Sequence, residues 1–152
     1  MNNIEELTIK FDRLIPIYNQ NLVKPNDSSI KKIETHFGFK LPESFIEFAK
    51  KSNSFSSFFS SLGNDYKNIS HIIRINSYWR NRRKTRAIPK NLIIFTLGYD
   101  EDFYCFDLDN FDPIKNEYQI QYWSPNVNDG KKFLDFIEYL ENQVYFWENN
   151  KK

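Results

Sequence analysis

Three consecutive strand-like segments constrain the fold more than any other feature of this sequence. "LIIFTL" (Leu92–Leu97) is a short apolar run, and "DFYCFDL" (Asp102–Leu108) follows after a brief polar turn. "YQIQYW" (Tyr118–Trp123) then alternates its side chains with the two-residue period of a half-buried strand. Three strands joined by connections this short predict an antiparallel meander.

Helical periodicity dominates the chain before these strands. Apolar residues at helical spacing predict a first helix over residues 3–15, which Pro16 should end. A second helix should begin at Asp27 or Ser28, either of which can act as the N-cap, and Gly38 stands where a C-terminal cap is expected. The N-terminal third is therefore predicted to be helical.

The remaining segments complete an α+β pattern. A third helix should start near Pro42, whereas "SNSFSSFFSSL" (Ser52–Leu62) fits a helix or a strand, and its Ser and Phe content favours a strand. Ser70 precedes a predicted helix, and residues 131–147 predict a closing helix. We expect one domain over residues 1–152, an antiparallel sheet with helices packed on one face.

Composition narrows the function classes. The chain has 152 residues with only 4 Gly, which disfavours Gly-rich phosphate loops, and a net charge of +1 argues against nucleic acid as a general partner. One cysteine allows no internal disulfide, so a reducing cytoplasm is the expected location. The acidic N-terminal segment is unlike a signal peptide, and no apolar run is long enough to suggest a membrane span.

The stretch from Pro89 to Pro113 carries six acids, which raises the question of a metal or catalytic site. Neither Asp107 nor Asp100, taken as the first ligand, gives the spacing of a calcium loop. The cluster Asp100–Asp102 follows a glycine between two strands, so turn chemistry accounts for it. We expect no metal and no cofactor.

No catalytic motif is present in the sequence. The two histidines, His36 and His71, have no ligand spacing to another His or to Cys105. Cys105 lies in the middle of a predicted strand, where a buried thiol is the usual state. A pair of Cys105 with His71 remains an alternative, but the expected class is a non-enzyme.

A basic run next to an aromatic residue is the other charged feature. Arginines beside a tryptophan suit phosphate contact and base stacking, which gives a nucleic-acid or phosphate-binding alternative. A solvated helix end is the simpler interpretation, and the near-neutral net charge favours it. The residues of this basic patch are Trp79, Arg80, Arg82, Arg83 and Arg86, with Lys84 between them.

Several segments, in order, resemble the SUKH superfamily, the Smi/Knr-type proteins. "SSIKKIETHFGFKLPESFIEFAKKSN" resembles the leading family motif, with an acid, a glycine, a Leu-Pro pair, an aromatic residue and an asparagine. These are Glu34, Gly38, Leu41-Pro42, Phe45 and Asn53. One departure is Ser54, which stands where the family usually has glycine.

The later segments extend the resemblance over about residues 25–143, which leaves the first helix outside it. "IPKNLIIFTLGYDEDFYCFDLDN" (Ile88–Asn110) resembles the central hairpin of the family, with its acidic turn. "QIQYWSPN" (Gln119–Asn126) resembles the next strand, and "KKFLDFIEYL" (Lys131–Leu140) resembles the closing helix.

The resemblance implies a non-catalytic binding protein. Bacterial members are immunity proteins that bind a toxin, often a nuclease, and fungal members are regulatory scaffolds. If the partner is basic, an acidic rim would steer its approach and aromatic residues would anchor it. The candidate partner-binding residues are Tyr99, Asp100, Glu101, Asp102 and Trp123.

Overall fold

The computed structural model of the protein describes residues 3–16, 24–63, 70–127 and 130–150. It confirms an α+β fold with an antiparallel sheet. The helices are α1 (Asn3–Leu14), α2 (Asp27–Phe37), α3 (Glu43–Lys51), α4 (His71–Arg80) and α5 (Phe136–Asn150). The strands are β1 (Leu92–Ile94), β2 (Phe103–Asp112), β3 (Glu117–Trp123) and β4 (Lys132–Phe133).

The sheet is a meander in the order β1-β2-β3-β4, with every neighbouring pair antiparallel. Ile94 pairs with Cys105, and Phe103 pairs with Trp123. The register of β2 and β3 shifts between Asp107 and Phe111, which marks a bulge in β2. Because side chains alternate along each strand, the sheet buries residues on both faces.

The larger core is aromatic and joins the helices to one face of the sheet. Phe45 of α3 contacts the rings of Phe95, Phe106 and Phe136, with centroids 5.1–5.6 Å apart. Phe95 and Phe106 stack at 4.4 Å. Helix α1 packs against α3 and α5, and the centroid of the Phe11 ring lies 5.1 Å from that of Phe48. Edge-to-face and offset contacts of this kind add to the free energy of burial.

A second cluster lies on the opposite face of the sheet. Trp79 of α4 packs against Phe103 and Trp123, with ring centroids 5.4 and 5.7 Å away. The cluster is completed by Ile88, Leu92, Ile94 and Cys105. Its strand residues alternate with those of the larger core, so β1 and β2 are covered on both faces.

Helix α4 closes the free edge of β1 through one side chain. The Asn76 carbonyl oxygen accepts the Ile94 backbone N–H at 2.8 Å, and its Nδ2 donates to the Ile94 carbonyl oxygen at 2.9 Å. Nδ2 also donates to the carbonyl oxygen of Ile72, at 2.8 Å. Asn76 therefore replaces a neighbouring strand, which prevents the edge from pairing with another chain.

The segment Ser52–Leu62 is not the strand that its composition favoured. It forms a short 3-10 turn at Phe55–Ser57, and Phe59 then makes a single bridge to Thr96. The rings of Phe55 and Phe59 stack at 5.1 Å inside the core. Packing of these aromatic side chains, rather than strand pairing, sets the local backbone.

Several element boundaries also differ from the sequence prediction. The closing helix begins at Phe136 instead of residue 131, because Lys132 and Phe133 pair with β3 as β4. The N-cap of α2 is Asn26, whose side chain accepts the Ser29 N–H at 2.9 Å, rather than Asp27 or Ser28. The strand ends differ too, since β1 ends at Ile94 rather than Leu97 and β2 extends to Asp112 rather than Leu108. The left-handed cap at Gly38 (φ 74°) is confirmed.

Replacing Asn76 with alanine should destabilise the protein by about 2–4 kcal/mol, because two buried backbone groups of Ile94 lose their partners. Urea denaturation measures this change. Asn149→Ala is the matched control, since Asn149 makes only an exposed bond to a carbonyl four residues earlier, and it should cost less than about 0.5 kcal/mol. Equal losses in the two variants would contradict the edge-closing role.

Candidate functional site

The acidic turn, residues Gly98–Asp102, is held in an unusual backbone conformation. Gly98 has φ 75°, and a Cβ there would lie 1.9 Å from the Phe103 ring, so only glycine fits. Asp100 and Glu101 follow with φ 58° and 59°, although neither is glycine. Consecutive left-handed residues with side chains are costly and occur mostly at sites where function requires the geometry.

Side-chain contacts fix this turn against the next loop. Asp102 accepts a hydrogen bond from the Tyr122 hydroxyl, and Glu101 accepts one from Asn126 Nδ2 at 3.0 Å. Burial, followed by the bond to Asp102, raises the pKa of Tyr122, so its hydroxyl keeps its proton. Asp100, Glu101 and Asp102 nevertheless remain exposed. The turn therefore presents a fixed group of negative charges.

An aromatic groove of about 250 Å³ adjoins the acidic turn. It lies between Gly98 and Asp102 on one side and α5 on the other. Its aromatic lining consists of Phe58, Tyr104, Tyr139, Phe146 and Trp147. Phe146 is half exposed, so a partner that meets the acids can also contact aromatic surface.

The five candidate partner-binding residues do not form one surface. The structure brings Asp100, Glu101 and Asp102 together, and the backbone of Tyr99 lies in the same turn. Trp123 is only 4% exposed, because its ring packs between Trp79 and Phe103. This burial corrects the expectation that Trp123 is a surface anchor.

Most of the basic patch serves the fold. Arg86 donates to the carbonyl oxygens of Ser124 (2.5 Å) and Val127 (3.1 Å), and its guanidinium lies 5.5 Å from the Trp123 ring. Arg82 donates to the Tyr78 hydroxyl at 2.5 Å. Arg80 donates to the carbonyl oxygens of Lys90 and Leu92.

The cations left for a phosphate are few. Trp79 is buried, so it offers no ring for base stacking. Arg83 and Lys84 are exposed, and their side chains make no hydrogen bond within the described part of the chain. Two cations alone give little affinity for nucleic acid, because that affinity grows with the number of phosphates neutralised.

Of the candidate catalytic groups, Cys105 lies inside the domain and His71 is half-buried. Cys105 is fully buried, and burial raises the pKa of its thiol well above the usual value, which keeps it protonated. Burial, followed by the charge of Arg74, lowers the pKa of His71. Within residues 3–16, 24–63, 70–127 and 130–150, no group of three acidic, His or Cys side chains could hold a metal ion.

Glu34 gives the leading motif a structural role. Its Oε2 accepts the Leu41 N–H at 2.7 Å, while its backbone carbonyl accepts the N–H of Gly38 at 2.8 Å. One residue therefore ties the end of α2 to the start of α3 across the glycine turn.

Glu117 is a buried carboxyl that the sequence analysis missed. It lies at the start of β3, is 6% exposed and accepts a hydrogen bond from the Ser44 hydroxyl. Burial raises its pKa from 4.5 to about 7, the nearby Asp135 and Glu43 add to the rise, and Ser44 and the Phe136 amide oppose it. Glu117 directly precedes the predicted strand Tyr118–Trp123, and only the strand register shows that it lies opposite Asp112.

No helix within the described ranges combines the length and apolar character needed to cross a lipid bilayer. A family model described as SMI1-KNR4 cell-wall, of the SUKH group, matches residues 2–148. No curated protein matches the chain.

A solved structure has the same fold. It is the crystal structure of a protein from Pseudomonas syringae pv. tomato, and the two chains superpose with a TM-score of 0.62 at 17% sequence identity. The match covers 91% of this chain and 96% of that chain. At this identity the likeness establishes the fold alone.

The raised pKa of Glu117 predicts a pH-dependent stability. The folded carboxyl holds its proton more tightly than the unfolded one, so the stabilisation is complete below about pH 4.5 and is lost as the pH rises through about 7. Glu117→Gln cannot ionise and should lose this slope. Between about pH 5 and 8, the free energy of unfolding of Glu117→Gln should rise by about 1–2 kcal/mol relative to wild type. This figure allows for solvent screening of the carboxyl.

Chemical denaturation across this pH range measures the difference, and comparing variants cancels the contribution of His71. The control is Glu141→Gln, which removes an exposed carboxyl from α5 and should leave the profile parallel to wild type. A parallel profile for Glu117→Gln as well would contradict the burial argument.

Proposed function

Because the chain belongs to the SMI1-KNR4 family of the SUKH group, we propose that it is a non-catalytic immunity protein that binds and neutralises a cognate toxin. The toxin is a nuclease or a similar protein with a basic surface. Neutralisation takes place in the cytoplasm of the producing cell, where an immunity protein must meet its toxin.

The exposed acidic turn carries this proposal. Asp100 and Glu101 occupy left-handed backbone, and Asp102 and Glu101 are bonded to Tyr122 and Asn126. Little conformational freedom remains to be lost when a partner binds, which lowers the entropic cost of association. The carboxylates of the acidic turn are fixed in position and do not take part in core packing, so they are suited to bind a positively charged surface.

The groove beside the turn supplies the second requirement of a tight interface. Charged rims mainly speed association, whereas aromatic contacts slow dissociation. Phe146 and Trp147 of α5 lie across the groove from Asp102. A basic toxin segment that contacts the acids therefore also meets an apolar surface, and we place the interface over both.

Two other functions remain as alternatives. One is a regulatory scaffold, and the other is nucleic-acid or phosphate binding by the basic patch. The engagement of Arg80, Arg82 and Arg86 within the fold disfavours nucleic-acid binding. A steep loss of nucleic-acid affinity with added salt is the signature that binding through the patch requires.

The test is co-expression with the product of the neighbouring open reading frame, followed by kinetic titration of the purified complex. Asp100→Asn, Glu101→Gln and Asp102→Asn together should lower the association rate about tenfold at low salt, because three steering charges are lost. The same variant should protect cells from the toxin less well.

The matched control removes three exposed acids elsewhere, through Glu5→Gln, Asp109→Asn and Glu141→Gln. It should change the association rate less than about twofold. Equal rates for the two triple variants would reject the acidic turn as the site. Failure to form any toxin complex, together with co-purified nucleic acid, would reject the immunity function itself.

A further inference from the structure

The β2–β3 hairpin closes on a pair of like charges. The register places Asp112 directly opposite Glu117 in the last pair before the turn. Directly opposed carboxylates destabilise a hairpin, and a lysine at either position would stabilise it. A pair of residues that destabilises its own hairpin is expected where one of the two has a role in function rather than in folding.

The carboxyl of Glu117 is only partly satisfied by its own chain. Oε1 accepts the hydroxyl of Ser44, and the Phe136 backbone amide lies near enough to the carboxyl to lower its pKa. Oε2 itself is buried and accepts no hydrogen bond of good geometry within the described ranges. A buried carboxylate oxygen without a partner is among the costliest groups in a protein.

The charges around Glu117 do not compensate for it. The acids Glu43 of α3, Asp112 of β2 and Asp135 before α5 surround it. Lys115 lies in the hairpin turn and lines the same pocket, yet it forms no ion pair with these acids. Asp112 and Asp135 each use Oδ1 to accept backbone amides of their own turns.

A pocket of about 300 Å³ opens over this carboxyl, and its lining combines carboxylates with exposed apolar surface. Glu117, Asp112 and Asp135 provide the acidic part. Phe111 and Leu134 line it as well, at 42% and 74% exposure. Ile114, at the tip of the hairpin, is 95% exposed. Apolar side chains around a charged contact exclude water from it when a partner binds, as residues around a binding hot spot do.

We propose that this pocket is a docking site for an arginine side chain presented by a protein partner. The flat guanidinium would pair with the carboxylates of Asp112 and Asp135 in the pocket lining, and its aliphatic stem would lie against Phe111 and Leu134. Because Glu117 Oε2 is closed to solvent, the Glu117 side chain would turn toward the pocket to accept from the same guanidinium. The volume accommodates one arginine side chain.

The site is a different surface from the acidic turn. Strand β2 spans 10 residues, and the two sites lie near its opposite ends, so about 30 Å separates them. The inference therefore stands whether or not the toxin binds at the turn. Nucleic acid does not suit the pocket, because its acids repel phosphate.

The first test is an NMR titration of the full chain with N-acetyl-arginine amide, using N-acetyl-citrulline amide as the uncharged control probe. Arginine amide should shift backbone amides within Phe111–Gln119 and Leu134–Phe136, with half-saturation at about 1–10 mM, a range usual for a single side chain. The citrulline probe should bind at least tenfold more weakly. Equal shifts with both probes, or no shifts in these segments, would overturn the proposal.

The second test uses the linkage between proton and ligand. A cation binds the ionised carboxyl more tightly than the protonated one. The affinity of the wild-type protein for arginine amide should therefore rise about tenfold between pH 5.5 and 8. Glu117→Gln should lose both the affinity and its pH dependence. Glu141→Gln, which removes an exposed acid outside both sites, should leave both unchanged. If Glu117→Gln alters the fold, Asp112→Asn replaces it and should weaken binding at least threefold. Full affinity in these pocket variants would overturn the site.

Discussion

The ring contacts around Phe45 are the constraint on which the remaining structure depends. One side chain of α3 touches Phe95 after β1, Phe106 in β2 and Phe136 at the start of α5. These contacts set how far the helices stand from the sheet and in which order they pack. The sheet itself has a three-residue edge strand, so it needs the aromatic layer and Asn76 to stay in place.

The second cluster, on the opposite face of the sheet, positions the acidic turn. Phe103 begins β2 inside the second cluster, and its ring leaves no room for a side chain at residue 98. The chain therefore turns sharply through left-handed residues, which carry Asp100 and Glu101 into solvent. The core on one side of the sheet and the tryptophan cluster on the other thus fix a surface that has no part in either.

Periodicity predicted the helices, the meander and the acidic turn, because each depends on local pattern. Composition wrongly favoured a strand for Ser52–Leu62, since long-range ring stacking rather than backbone propensity decides that segment. The choice of Trp123 as a partner-binding anchor was wrong, because a single sequence does not tell which face of a strand is covered. Glu117 needed the strand register and the position of Ser44, and neither is visible in a single sequence.

The most direct test of the immunity account is hydrogen exchange of the free chain and of its complex with the product of the neighbouring open reading frame. An interface at the acidic turn and the adjoining groove predicts slower amide exchange in the complex over residues 97–104 and along α5 near Phe146. Exchange of residues 81–87 should be unchanged. Slower exchange confined to residues 81–87, with the acidic turn unaffected, would contradict it and assign the interface to the basic patch.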